Sequence, residues 1–110
     1  MSRRRTAILI SGRGSNMTAL IEAAQTSDYP AEIALVLSNR ADAPGLGHAE
    51  RAGIETAVVT SKGAPSREVF DQAVHARLEQ SGIELVCLAG FMRVLTAGFV
   101  ESWRDRLINI

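Results

Sequence analysis

Short apolar runs alternate along this chain with stretches of helical spacing, and that alternation predicts its elements. Thr6-Ala7-Ile8-Leu9-Ile10 reads as a first strand. Met17, Leu20, Ile21 and Ala24 then mark one apolar helix face, and the helix stops within 26–30, where Pro30 cannot continue it. Ile33-Ala34-Leu35-Val36-Leu37 is apolar throughout, as in a strand covered on both faces. A loop over 39–44 leads to a short helix carrying Leu46, Ala49 and Ala52, which ends at Gly53. Residues 56–60 predict a third strand and 61–65 a turn. Ser66 is placed to cap the next helix, which buries Phe70, Val74 and Leu78 and ends at Ser81-Gly82. Residues 84–89 read as a fourth strand and 90–95 as a loop. Thr96 caps a short helix through Trp103, and 107–110 begin a fifth strand.

Strict alternation of strand and helix predicts an α/β fold, a Rossmann-like parallel sheet with helices on both faces and right-handed crossovers. No repeat or linker divides residues 1–110, which read as a single segment. In such sheets ligands lie beyond the carboxyl ends of the strands, where the strand order reverses. For the order 3-2-1-4-5 that point falls between the first and fourth strands. The turn after the first strand would then face loop 90–95 across a cleft, with Arg67 and Asn109 opening on the same edge.

That turn is Ser11-Gly12-Arg13-Gly14-Ser15-Asn16. Its glycines permit a sharp bend and close approach to a ligand, and Ser15 or Asn16 can cap the helix. The first N–H groups of the helix and the positive end of its dipole would then favour a phosphate. A dinucleotide fingerprint is not met, because Met17 sits where a small residue belongs and Ser38-Asn39-Arg40 replaces the expected acid. No Gly-Lys-Ser/Thr follows, so a triphosphate loop is not indicated either. A single phosphate, on a sugar, fits better than NAD or ATP.

Charge narrows the partners further. Twelve basic and 12 acidic residues among 110 give a net charge of zero, which offers no electrostatic case for nucleic acid or an acidic membrane. Arg3-Arg4-Arg5 reads as a solvated tail. No apolar stretch is long enough to span a bilayer and no signal pattern precedes the first strand, so the default location is cytoplasmic. Cys87, the one cysteine, lies in an apolar run and reads as a core thiol.

Among polar candidates, Arg93 beside Phe91 and Met92 could clamp an anion, or lie over core side chains at the surface. Arg67 in a first helical turn suggests an anionic partner, or is simply offset by Glu68. Asn109 at a strand end could donate to a developing oxyanion, or pair with loop backbone. His48 and His75 fall within helices, away from the strand ends, and read as surface or satisfied residues. Asp42 and Glu68 are the carboxylates expected near the cleft edge, and no set of residues has metal-ligand spacing. The cleft thus has binding groups and an oxyanion donor but no proton shuttle.

The turn at 11–16, Ser66-Arg67-Glu68, the run Leu88-Ala89-Gly90-Phe91-Met92-Arg93-Val94-Leu95 and Leu107-Ile108-Asn109-Ile110 together resemble the phosphoribosylglycinamide formyltransferases. The resemblance covers essentially the whole chain in order and corresponds to the N-terminal part of that family. It implies transfer of a formyl group from 10-formyltetrahydrofolate to the amine of glycinamide ribonucleotide in purine biosynthesis, without a metal. Gly14, Ser15 and Asn16 would hold the substrate phosphate. Arg67, Met92, Arg93, Val94, Leu95 and Asn109 would contact the folate co-substrate, and Asn109 would be catalytic. The partners implied are small molecules, with neither nucleic acid nor membrane, and a homodimer is compatible. The family continues from Asn-Ile into His-Pro-Ser, with an aspartate further on. A chain stopping at Ile110 is therefore expected to be a truncated segment that is inactive alone, with an uncovered edge and apolar surface. A second reading is a non-catalytic phosphosugar-binding α/β module. A nucleotide-dependent oxidoreductase is disfavoured by Asn39-Arg40.

Overall fold

A computed structural model describes residues 3–62 and 65–110. The chain runs β1 (Arg4–Ile10), α1 (Ser15–Ala24), β2 (Ala31–Ser38), α2 (Pro44–Arg51), β3 (Glu55–Val58), α3 (Arg67–Gln80), β4 (Leu85–Leu88), α4 (Ala97–Ser102) and β5 (Leu107–Asn109). The strands form one sheet in the order β3-β2-β1-β4-β5, every neighbouring pair parallel. The chain winds outward from β1 to β3, then crosses back over the sheet through α3 to β4. That return creates the reversal of strand order between β1 and β4.

Alternation along β1 sorts the core into two layers. Ala7 and Leu9, with Leu35 and Leu37 of β2, pack against Phe70, Val74 and Leu78 of α3 and Phe99 and Trp103 at α4. Ile8 and Ile10, with Val36, pack against Met17 and Ile21 of α1 and Leu46 and Ala49 of α2. Both faces of the central strands are thus covered, which is why their sequences are apolar without interruption. Trp103 closes the α3–α4 layer, its Nε1–H donating to His75 Nδ1 at 3.0 Å. Both atoms are thereby satisfied, as expected for a helical histidine without a catalytic task.

Several boundaries move by one to three residues. Strand β2 extends to Ala31–Ser38, β3 begins earlier and ends at Val58, β4 is trimmed to Leu85–Leu88, and β5 covers Leu107–Asn109. Helix α2 ends at Arg51, and Ala52 is its exposed C-cap rather than part of its apolar face. Of the turn expected over 61–65, Gly63 and Ala64 lie outside the described residues. Ser66 caps α3 by accepting from the Val69 N–H at 3.2 Å, and Thr96 caps α4 through the Phe99 N–H at 3.2 Å.

The basic run is not a solvated tail. Arg4 and Arg5 belong to β1, and the Arg3 guanidinium donates to the carbonyls of Ala24, Tyr29 and Ala31. Arg5 donates to the Ser81 carbonyl and pairs with Glu32 at 3.0 Å. Arg3 and Arg5 thereby satisfy carbonyls at the ends of α1 and α3.

Candidate functional site

Beyond the carboxyl ends of β1 and β4 lies a cleft of about 490 Å³, lined by Ser11, Gly12, Arg13, Gly14, Ser15, Asn16, Arg40, Ala89, Gly90 and Met92. It sits at the order reversal, where the sequence pattern puts it. One wall is the turn leading into α1. Here the expected cap fails: Gly14 is the N-cap, at φ 64° and ψ 52°, and no side chain caps the helix. Ser15 and Asn16 are instead the first helical residues, exposed on the cleft. Glycine has no side-chain oxygen to cap with, so the leading N–H groups keep their hydrogen-bonding capacity for a ligand. That arrangement favours an anion more than a serine or asparagine cap would.

The turn is braced from behind by α2. The Gly45 N–H donates to the Gly12 carbonyl at 3.0 Å. A Cβ at position 45 would lie 2.5 Å from Ile10 Cδ1 and 2.8 Å from the Arg13 carbonyl oxygen, so only glycine lets the two backbones approach this closely. Arg40 adds positive charge to the cleft. Its guanidinium holds Asp42 through two bonds of 3.1 Å, and those bonds and that charge keep the Asp42 carboxyl below the ordinary range.

The facing wall is the loop after β4. Gly90 turns the chain at φ 72°, and Met92 and Val94 point outward, 79% and 71% exposed. Phe91 and Leu95 fold back against the core. Arg93 does not enter the cleft; its guanidinium lies 4.5 Å over the Phe70 ring of α3. It lies neither in the cleft nor over its neighbours Phe91 and Met92, but half-buried against α3, where a cation–π contact supplies the hold. Asn109 on β5 registers with Leu88 at the end of β4, exposed on the same edge. Arg67 opens α3 at that edge without lining the cleft. Glu68, expected near the cleft, instead lines a separate cavity of about 450 Å³ between α3 and α4, together with His75.

The structure therefore gathers Gly14, Ser15, Asn16 and Met92 into one cleft and leaves Arg67, Arg93, Val94, Leu95 and Asn109 around its rim. Three contributors escaped the sequence reading as individuals. Arg40 was weighed only as a missing acid. Ser11 is buried, and its hydroxyl donates to Asn39 Oδ1 at 2.6 Å while accepting from the Met92 N–H at 2.7 Å. Asp71 is buried on α3 and its Oδ2 accepts from the Thr96 N–H at 2.7 Å. A signal for Asp71 exists: it lies three and seven residues before Val74 and Leu78, on the inward stripe. Among the described residues no group of three His, Cys, Asp or Glu side chains is placed to hold a metal ion. No helix described is long and apolar enough to cross a membrane.

Residues 4–110 match the formyl transferase family. The chain belongs to that family. It is 51% identical over 110 residues to the trifunctional purine biosynthetic protein adenosine-3 of Drosophila pseudoobscura pseudoobscura, covering 98% of this chain and 8% of that protein. It is 41% identical over 103 residues to the phosphoribosylglycinamide formyltransferase of Escherichia coli (strain K12), covering 94% of this chain and 49% of that protein. The crystal structure of phosphoribosylglycinamide formyltransferase from Brucella melitensis superposes with a TM-score of 0.95 at 45% identity, over 98% of this chain and 56% of that one. The chain thus spans about half the length of the phosphoribosylglycinamide formyltransferases it matches and a small fraction of the trifunctional protein. The sheet order and the cleft at its reversal are the formyl transferase fold.

Proposed function

We propose that this chain supplies the phosphate turn and the formyl-donor loop of an enzyme that formylates the amine of glycinamide ribonucleotide from 10-formyltetrahydrofolate. The observation that carries the reading is the cleft itself, where an uncapped helix N-terminus faces a loop that turns apolar side chains outward. In this reading Gly14, Ser15 and Asn16 hold the substrate phosphate, with Arg40 adding charge. Met92, Arg93, Val94 and Leu95 form the wall for the flat pterin, and Arg67 meets an anionic group of the donor. Both partners are small molecules, and no step draws on a metal, nucleic acid or a membrane.

The amine nitrogen attacks the formyl carbon, and the carbonyl electrons move onto oxygen. The tetrahedral adduct collapses by breaking the bond from that carbon to the folate nitrogen, which receives the proton the amine gives up. Asn109 donates its amide to the oxyanion, a contribution of about 3–4 kcal/mol where such donors have been removed from other enzymes. The resemblance further implies a protonated histidine beside the asparagine at the oxyanion, its state set by a later aspartate.

The test is formyl transfer to glycinamide ribonucleotide by protein in which this chain is joined to the rest of the fold, with and without Asn109→Ala. Turnover in the parent and a loss of roughly 10²- to 10³-fold in the variant are expected. Near-normal turnover in the variant removes the oxyanion role. A parent that binds the nucleotide without turnover favours the phosphosugar-binding module. Residues 1–110 alone are expected to bind the nucleotide and to transfer nothing.

A further inference from the structure

Loop 92–96 turns Met92 and Val94 to solvent, while Arg93 over the Phe70 ring and Leu95 against the core are its packing contacts. Holding a residue in one backbone conformation costs about 1–2 kcal/mol, and outward-facing Met92 and Val94 return little of it. Two hydrogen bonds of 2.7 Å pin the loop at its ends. The Met92 N–H donates to Ser11 Oγ, and the Thr96 N–H donates to Asp71 Oδ2. Both acceptors are withdrawn from water, Ser11 being 5% exposed and Asp71 3%. The Ser11 hydroxyl spends its proton on Asn39 Oδ1, which turns a lone pair toward Met92 and fixes the direction of the bond. Ser11 is also the first residue of the phosphate turn, so one hydroxyl joins the ends of β1 and β2 to the loop after β4. At the other end, Asp71 follows Phe70, the ring on which Arg93 lies. Asp71 Oδ1 and Arg93 Nε are the buried side-chain polar atoms without a partner among the described residues, and both belong to this junction.

We infer that Ser11 and Asp71 are positioning residues that clamp loop 92–96 at its two ends, and that the Ser11 clamp couples the turn to the loop. Filling the turn with a phosphate then tightens the wall against which the formyl donor packs. The inference rests on the reading that the turn takes the ribonucleotide phosphate, and it extends that reading to a coupling in which nucleotide in the turn and donor against the loop each favour the other. Asp71 acts on the loop's shape alone, because it touches no part of the turn.

Amide hydrogen exchange of the ¹⁵N-labelled chain, with and without glycinamide ribonucleotide, tests both parts. Without nucleotide, Met92 and Thr96 should exchange about tenfold or more slowly than Arg93 and Val94, in line with bonds to buried acceptors. Nucleotide should slow Met92 several-fold further. In Ser11→Ala, Met92 should exchange like its neighbours and lose the nucleotide response, while Thr96 stays slow. Asp71→Ala should release Thr96 and spare Met92, and Asp71→Asn, which keeps an acceptor oxygen, should restore Thr96. Ser11→Thr keeps the hydroxyl and must keep Met92 slow, which preserves the test if an alanine variant fails to fold. A slow Met92 in Ser11→Ala, or a slow Thr96 in Asp71→Ala, overturns the clamp. If nucleotide moves no resonance of Gly14, Ser15 or Asn16, the phosphate reading and the coupling fall together, while the nucleotide-free rates still decide the clamp.

Discussion

Gly14 carries the backbone through φ 64°, with Ile10 Cγ2 and Met17 Cβ only 3.1 and 3.2 Å from where a Cβ would stand. Gly14→Ala is expected to lower stability by about 1–2 kcal/mol in urea unfolding, from left-handed strain, and to weaken phosphate binding. An unchanged midpoint would show that the turn does not need this conformation. Burial in the α1–α2 layer raises the Cys87 thiol above its usual 9.0. The folded chain then holds that proton more tightly than the unfolded one, so the stability is intact below about pH 9 and falls as pH rises toward the folded value. At pH 8 iodoacetamide should modify the native chain at least about tenfold more slowly than the urea-unfolded chain, since the thiolate is the nucleophile. Equal rates would place the thiol at the surface. At this scale the sequence told which residues matter better than what they do. His75, Cys87 and Gly14 of the turn are legible from their neighbours. The partners of Ser11 and Asp71 are not, because both lie far away in sequence, at Met92 and Thr96.

Elements announced themselves where local chemistry was decisive. Ser66 before α3 is one case, and Ser66→Ala should cost about 1 kcal/mol in chemical denaturation by freeing the Val69 N–H. A loss under a few tenths would show that the α3 start is held by packing instead. Strand ends were less legible, because a strand stops where its neighbour stops. Strand β3 ends at Val58 in register with Ser38, although the apolar run continues to Val59. The start of α1 was misread for a related reason. Ser15 and Asn16 have cap chemistry, but the preceding glycine had already taken the capping position in a conformation they would enter only at a cost. Arg3 and Arg5 were misplaced because carbonyls at the ends of α1 and α3 accept from them, and no window of local sequence contains those carbonyls.

At the scale of the whole molecule, alternation gives the parallel sheet, and the reversal between β1 and β4 follows only with the strand order 3-2-1-4-5 that the structure shows. What alternation does not contain is the rim of the cleft. Arg93 folding onto Phe70, and Glu68 turning toward α4, depend on how α3 lies across the sheet.

The same layer gives the protein an optical signal of its own. Trp103 is the one tryptophan in the sequence, buried between α3 and α4, with its indole N–H on His75 and the Arg106 guanidinium 4.5 Å over its ring. Its emission therefore comes from a single, dry environment that closes the helix following loop 90–95. Blue-shifted light reports α4 seated, and a red shift reports water reaching the indole. Changes in the loop that unseat α4 can thus be followed by label-free fluorescence in real time, without substrate and without turnover.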